Sequence, residues 1–225
     1  PTIQLLNRHE KRYIRSLIVT PTRELAIQIQ ENICAYAKHT SIRSAVIFGG
    51  VPQKPQERIL RAGVDILVAT PGRLNDLIQP GIADIGRIEI FILDEADRML
   101  DMGFLPDLKR ILKALPPDRQ TLLFSATFSP EIKKLASEFL NKPESVEIER
   151  NKDSSLVRQT LYRVPKANKH TVLRDLIVDN QWDQVLVFTR TKYGADKLVR
   201  HLLKDGLVAK AIHGDKSQSA RTTAL

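Results

Sequence analysis

At 225 residues, with 42% apolar and 27% charged side chains, the chain has the composition of a globular protein able to bury a sizeable core, so disorder is excluded as its default. Its net charge of +9 is uneven, with 21 basic against 19 acidic side chains in residues 1–150 and 14 against 7 in residues 151–225. Such a balance suits a polyanionic partner or, equally, a solvated basic surface. One cysteine, Cys34, excludes an intramolecular disulfide and points to a reducing compartment, and its place in an apolar helical pattern reads as packing.

Taken from the start, residues 1–15 are broken by Arg8, His9, Glu10, Lys11 and Arg12. No apolar run approaches the roughly 20 residues that span a bilayer, so a cytoplasmic location without membrane contact is expected. Short apolar runs then alternate with helical patterns, the mark of a parallel sheet covered by helices. The strand candidates are Leu17–Val19, Ala45–Phe48, Ile66–Ala69, Ile88–Leu93, Gln120–Phe124 and Val146–Ile148. Helices are expected over Glu24–Ala37, Pro55–Ala62, Leu105–Leu115 and Pro130–Leu140. The last opens with Ser129-Pro130-Glu131, an N-cap, a first-turn proline and an acid. The pattern predicts a doubly wound α/β domain over residues 1–149.

Residues 150–155 are polar and aperiodic, and a linker over 150–157 is expected to join this domain to a second one over 158–225. There the pattern predicts strands Thr160–Val164, Val185–Phe188 and Val208–Ile212, helices Asn168–Asp179 and Gly194–Leu203, and a further helix starting near Ser217. A sheet of three strands leaves edges and helix faces uncovered, so more sequence is expected after Leu225. Trp182 has two readings, a stacking platform for a base or an aromatic packed on the core.

Chemistry concentrates where strands end. Ile88–Leu93 runs into Asp94-Glu95-Ala96-Asp97, at the carboxyl edge of a parallel sheet, where α/β folds bind ligands. One carboxylate there can anchor Mg²⁺ or its water shell on a nucleotide, and the next can orient and deprotonate an attacking water. Alone, the cluster reads rather as a solvated turn with a helix N-cap. Thr22-Arg23 and Thr70-Pro71-Gly72-Arg73 put hydroxyls, guanidinium groups and backbone N–H groups at strand-to-helix junctions that attract phosphate. Gly50 and Gly72 would let backbone approach a sugar-phosphate strand closely, reading it without regard to sequence. The plain alternative for each is a turn or a surface ion pair.

The segments together resemble the DEAD-box ATP-dependent RNA helicases. Asp94-Glu95-Ala96-Asp97 resembles the box that names the family. Pro21-Thr22-Arg23-Glu24-Leu25-Ala26 resembles motif Ia, Gly49-Gly50 the glycine pair, Thr70-Pro71-Gly72-Arg73 motif Ib and Ser125-Ala126-Thr127 motif III. Val187-Phe188-Thr189-Arg190 resembles motif IV, and Gln218-Ser219-Ala220-Arg221, after His213-Gly214-Asp215, the Gln-x-x-Arg element. They stand in the family's order. Ile92–Gly103 and Val187–Lys192 look most like the bacterial RhlE-type subgroup.

The resemblance implies two RecA-like domains that close over ATP, Mg²⁺ and single-stranded RNA. It implies Glu95 as the residue that activates water, Asp94 as the Mg²⁺ residue acting through water, with Asp97 beside them, and Ser125 and Thr127 as couplers of hydrolysis to strand separation. Thr22, Arg23, Gly50, Thr70, Pro71, Gly72 and Arg73 would hold RNA in the first domain, and Thr189, Arg190, Gly214 and Arg221 in the second. Ribosome-assembly or RNA-decay proteins are the partners it suggests. The family's phosphate loop, Gly-x-x-x-x-Gly-Lys-Ser/Thr, does not occur in the sequence. Gly81 to Ile88 has the glycine spacing but lacks the Lys-Ser/Thr pair and precedes a strand. A fragment is therefore expected, lacking that loop upstream and motifs V and VI downstream, and inactive alone as an ATPase. A natural RNA-binding or partner-binding chain without catalysis and a DNA translocase on the same core are the alternatives.

Overall fold

The computed structural model describes residues 1–7, 13–147 and 157–225. They form two compact units, Pro1–Ser145 and Val146–Leu225. In the first unit the order is α1 (Thr2–Leu6), β1 (Ser16–Val19), α2 (Arg23–Ala37), β2 (Ser44–Ile47), α3 (Gln53–Arg61), β3 (Ile66–Ala69) and α4 (Pro71–Ile78). Then come β4 (Ile90–Leu93), α5 (Ala96–Asp101), α6 (Leu105–Ala114), β5 (Gln120–Leu123) and α7 (Pro130–Phe139). The five strands form one parallel sheet in the order β2-β3-β1-β4-β5, the α/β architecture expected of a RecA-like domain.

The central strands β1, β3 and β4 read as nearly unbroken apolar runs because both faces of the sheet are covered there, whereas β5, Gln120-Thr121-Leu122-Leu123, is more exposed. Leu17, Val19, Ala45, Ile47, Leu67, Ala69, Phe91 and Leu93 pack into one cluster with Leu74 and Leu77 of α4, Leu108 and Ile111 of α6, and Ile132 and Leu135 of α7. Alternate residues Ile18, Ile66, Val68 and Ile90 point the other way, onto Leu6 of α1 and Ala26 and Ile33 of α2. Each such burial contributes about 1.5–3 kcal/mol, so strand placement is fixed by core formation on two sides. Local chemistry sets the helix starts. The Thr22 hydroxyl accepts the Leu25 N–H at 3.2 Å to open α2, and the Ser129 hydroxyl accepts the Ile132 N–H at 3.3 Å to open α7.

Most expected elements recur with ends shifted by one or two residues. β4 starts at Ile90, because Ile88 still belongs to a turn closed by its N–H on the Ile85 carbonyl at 3.4 Å. The strand expected over Val146–Ile148 is not formed at its described residues 146–147, and residue 148 lies outside the described ones. Val146 is exposed and has no ladder neighbour. Of the expected linker, residues 150–156 lie outside the described residues.

The second unit contains a 3₁₀ turn (Lys166–Asn168), α8 (Lys169–Asp179), α9 (Lys192–Lys204) and α10 (Gln218–Ala224). The Thr191 hydroxyl caps α9 by accepting the Gly194 N–H at 2.9 Å, and Ser217 caps α10 through the Ala220 N–H at 3.2 Å. The His170 and His201 rings stack, centroids 4.5 Å apart. The strands expected at Thr160–Val164, Val185–Phe188 and Val208–Ile212 are not formed; no ladder involves these described segments. Leu161, Leu186, Phe188 and Val208 are exposed. A strand exists only as one side of a hydrogen-bonded pair, and here no pair is made.

Candidate functional site

The register brings the sequence motifs to one edge. Val19 is level with Ala69 and Leu93, Ala69 with Ile47, and Leu93 with Leu123. All five strands thus end together, and the segments that follow them emerge side by side at the strand spacing of about 4.8 Å. In sheet order these are Phe48-Gly49-Gly50, Thr70 to Arg73, Thr20 to Arg23, Asp94 to Asp97, and Phe124 to Thr127. Acids and hydroxyls occupy the β4 and β5 end, guanidinium groups and glycines the β2, β3 and β1 end.

At the acidic end, backbone bonds extend the sheet into the loops. Asp94 N–H donates to Val19 O at 2.9 Å, Phe124 N–H to Leu93 O at 2.8 Å and Ala96 N–H to Phe124 O at 3.0 Å. Glu95, between the strand and α5, takes the left-handed conformation, φ 51° and ψ 52°. A non-glycine residue there is strained, and such residues concentrate at functional sites. The conformation turns the chain sharply, leaving Glu95 exposed while Ala96 is buried. Asp94 Oδ1 accepts the Glu95 N–H at 3.0 Å. Burial pushes the Asp94 carboxyl above its ordinary value, partly offset by that bond. Asp97 Oδ2 accepts from Thr127 Oγ1 at 2.9 Å, its Oδ1 accepts the Arg98 N–H at 3.0 Å, and Ser125 Oγ donates to the Thr127 carbonyl at 2.7 Å. Partial burial works against Asp97 ionisation, yet the bonds from Thr127, Arg98 and Ser125 outweigh it and hold the carboxyl below its ordinary value.

A metal fits the acidic end in a limited way. Asp94 is a half-buried carboxyl whose anion is poorly hydrated, which a nearby cation would relieve. Among the described residues no group of three His, Cys, Asp or Glu side chains could hold an ion by itself. One carboxylate with remaining water and phosphate ligands is the usual Mg²⁺ arrangement at nucleotides.

At the basic end, Gly50 adopts φ 77°, and a Cβ on it would collide with the Arg23 guanidinium. The positive φ favours glycine there, while the guanidinium, at the end of a flexible side chain, could move aside. Gly72 has nothing within 4 Å of where a Cβ would stand, so no packing inside the chain demands glycine. Pro71 is the first residue of α4, and Thr70, buried, precedes it without a side-chain capping bond. The Arg73 side chain, only 10% exposed, is turned inward; its Nη2 donates to Val51 O at 3.1 Å and its Nε lies 3.8 Å from Asp76. The sequence motifs gave no sign of this contact, nor of Gln56, which hydrogen-bonds the same loop.

In the second unit the Thr189 hydroxyl donates to the Thr191 carbonyl at 3.0 Å, and Arg190 is exposed. Gly214 faces Lys192, whose Nζ would lie 3.9 Å from a Cβ there, and Lys192 pairs with Asp215 at 2.7 Å. His213 and Lys216 both reach Asp196, at 3.2 and 2.8 Å. Arg221 lies in α10. Thr189 and Gly214 are thus gathered around the start of α9, through Thr191 and Lys192.

Comparison with known proteins gives the same motifs a family. A DEAD/DEAH box helicase family model matches residues 1–135. The chain is 42% identical over 214 residues to a protein named ATP-dependent RNA helicase dbp2 from Emericella nidulans, covering 93% of this chain and 38% of that protein. It is 42% identical to the protein of that name from Botryotinia fuckeliana, covering 93% and 37%. Against a DEAD-box ATP-dependent RNA helicase 30 of Arabidopsis thaliana the identity is 43%, covering 93% and 36%. The chain thus spans under two fifths of the length of these relatives, and it belongs to the DEAD/DEAH box helicase family.

Proposed function

We propose that the chain carries the hydrolytic edge and part of the RNA-binding surface of an ATP-dependent RNA helicase. The observation that carries this reading is the level strand register, which puts Asp94, Glu95 and the Thr127–Asp97 bond on the same edge as Arg23, Gly50 and Gly72. Bound Mg²⁺ would supply charge neutralisation at the nucleotide phosphates. Asp94 is the residue that would hold it through water, and Glu95, exposed beside it, orients and deprotonates the attacking water. Thr127 and Ser125 tie Asp97 to the end of β5, so a change at the acids is felt one strand away. RNA is held through its backbone by Thr22, Arg23, Gly50, Thr70, Pro71 and Gly72, with Arg73 behind the loop, and by Thr189, Arg190, Gly214 and Arg221 in the second unit.

The sequence contains no phosphate loop, so these residues alone do not cradle ATP, and the 225-residue chain is inactive as an ATPase. A cytoplasmic location and partners in ribosome assembly or RNA decay belong to the same reading. No helix among the described residues is long and apolar enough to cross a membrane. A bacterial RhlE-type subgroup finds no support in the fungal and plant relatives compared; it rests on Ile92–Gly103 and Val187–Lys192 alone. The test is ATP turnover with and without single-stranded RNA, for this chain and for the full-length gene product. RNA-stimulated turnover confined to a longer product supports the reading. Turnover by the 225 residues alone would mean that phosphates are held without a phosphate loop, against this account.

A further inference from the structure

Two inward-facing side chains fasten the Gly49-Gly50 loop. Gln56 of α3, 7% exposed, accepts the Phe48 N–H on Oε1 at 2.9 Å and donates Nε2 to the carbonyls of Phe48 at 3.3 Å and Pro52 at 3.1 Å. Its carboxamide pairs both backbone groups of the first residue beyond β2, as a neighbouring strand would. Arg73, from the turn after β3, closes the other side with Nη2 on Val51 O at 3.1 Å. The residues flanking the glycines on both sides are therefore held, and Gly50 lies in its left-handed conformation against Arg23.

Burying a carboxamide is unfavourable unless its donors and acceptor are met, and Gln56 meets them only in this loop conformation. The bonds therefore select one loop geometry. The Arg73 Nε and Nη1 atoms are buried without hydrogen-bond partners, so the guanidinium is not presented outward to a ligand. We propose that Gln56 and Arg73 are positioning residues for RNA. They preorganise the Gly49-Gly50 loop so that the Gly50 backbone meets the strand, Arg73 acting through Val51 and not by touching phosphate. This rests on the RNA-binding reading above.

The experiment uses the full-length gene product, RNA-stimulated ATP turnover and binding of a fluorescein-labelled oligouridylate. Gln56→Met should raise the RNA KM roughly five- to tenfold through lost preorganisation, with kcat at saturating RNA kept. Gln56→Glu should have a larger effect that shrinks as pH falls, because its carboxylate faces the Phe48 and Pro52 carbonyls until it gains a proton to donate. Arg73→Met should weaken binding while leaving the salt slope unchanged, whereas loss of a phosphate contact would make it shallower by about 1. Arg23→Ala serves as the control for RNA contact itself. An unmoved KM in Gln56→Met beside a raised one in Arg23→Ala overturns the latch and leaves the RNA reading standing. An unmoved KM in both overturns the RNA reading and the latch with it. Should Gln56→Met fail to fold, Arg73→Met decides: an unchanged slope with weaker binding supports the latch, and a shallower slope or unaltered binding overturns it.

Discussion

The two units respond to similar sequence patterns in opposite ways. In the first, four-residue apolar runs become a five-stranded sheet with helices on both faces. In the second, Val185–Phe188 is as apolar and Val208–Ile212 is interrupted only by Lys210, yet neither forms a ladder, and Leu202 is the one buried hydrophobic residue among those described. The helices of both units form alike. The difference lies in what each element needs: a helix closes its own hydrogen bonds, while a strand depends on a neighbour and on packing across both faces. Where that packing is absent, the second unit still makes ion pairs such as Lys192–Asp215 and Lys216–Asp196 and the His170–His201 ring stack.

The largest contrast should come from core truncation. Phe91→Ala removes a fully buried ring at the centre of the first unit and should destabilise that unit by about 3–5 kcal/mol. Leu202→Ala should leave the first unit's transition unmoved and loosen only α9 against α8. Urea titrations followed by residue-resolved NMR intensities check both, and a common shift by either variant would erase the distinction between the units.

Acid and salt should act the other way round. Hydrogen bonds from Lys216 and His213 hold the Asp196 carboxyl below its ordinary value, and that from Lys192 does the same for Asp215. For acids with lowered folded-state pKa, the stabilisation is present above the unfolded value near 3.8 and is lost as pH falls through the folded one. Acidification below about pH 4 should therefore release the loop at 213–217 from α9 while the sheet of the first unit persists. Raised salt near neutral pH should produce a weaker form of the same loosening, because these pairs are exposed and screened. Equal loss of signals from β1 and α9 on acidification would contradict this.

Much of the first unit is legible in its sequence for physical reasons. Apolar runs covered on both faces announce buried parallel strands, and Ser129 before Pro130 and Glu131 announces the start of α7 because its hydroxyl acts on an amide three residues away. The placement of Asp94 to Asp97 and Ser125 to Thr127 also follows, since residues just after parallel strands must meet at one edge. What could not be read is conformation and long-range direction. Nothing in the residue type announces that Glu95 is left-handed. Arg73 looks like a surface phosphate ligand, but its partner is a carbonyl 22 residues earlier. Gln56 is an ordinary helix residue until its partners, backbone groups of the preceding loop, are in view. Failure of the second-unit strands has the same origin, since pairing is decided elsewhere than in the run itself.

Glu95 carries the central claim, that the acidic end of the first unit performs hydrolysis while its basic end holds RNA. The most direct measurement is ATP turnover with RNA by the full-length gene product carrying Glu95→Gln, alongside its affinity for ATP and single-stranded RNA. The account predicts turnover reduced by about 10²–10⁴-fold, with both ligands still bound. Undiminished turnover would remove Glu95 from the reaction and contradict the assignment of the edge.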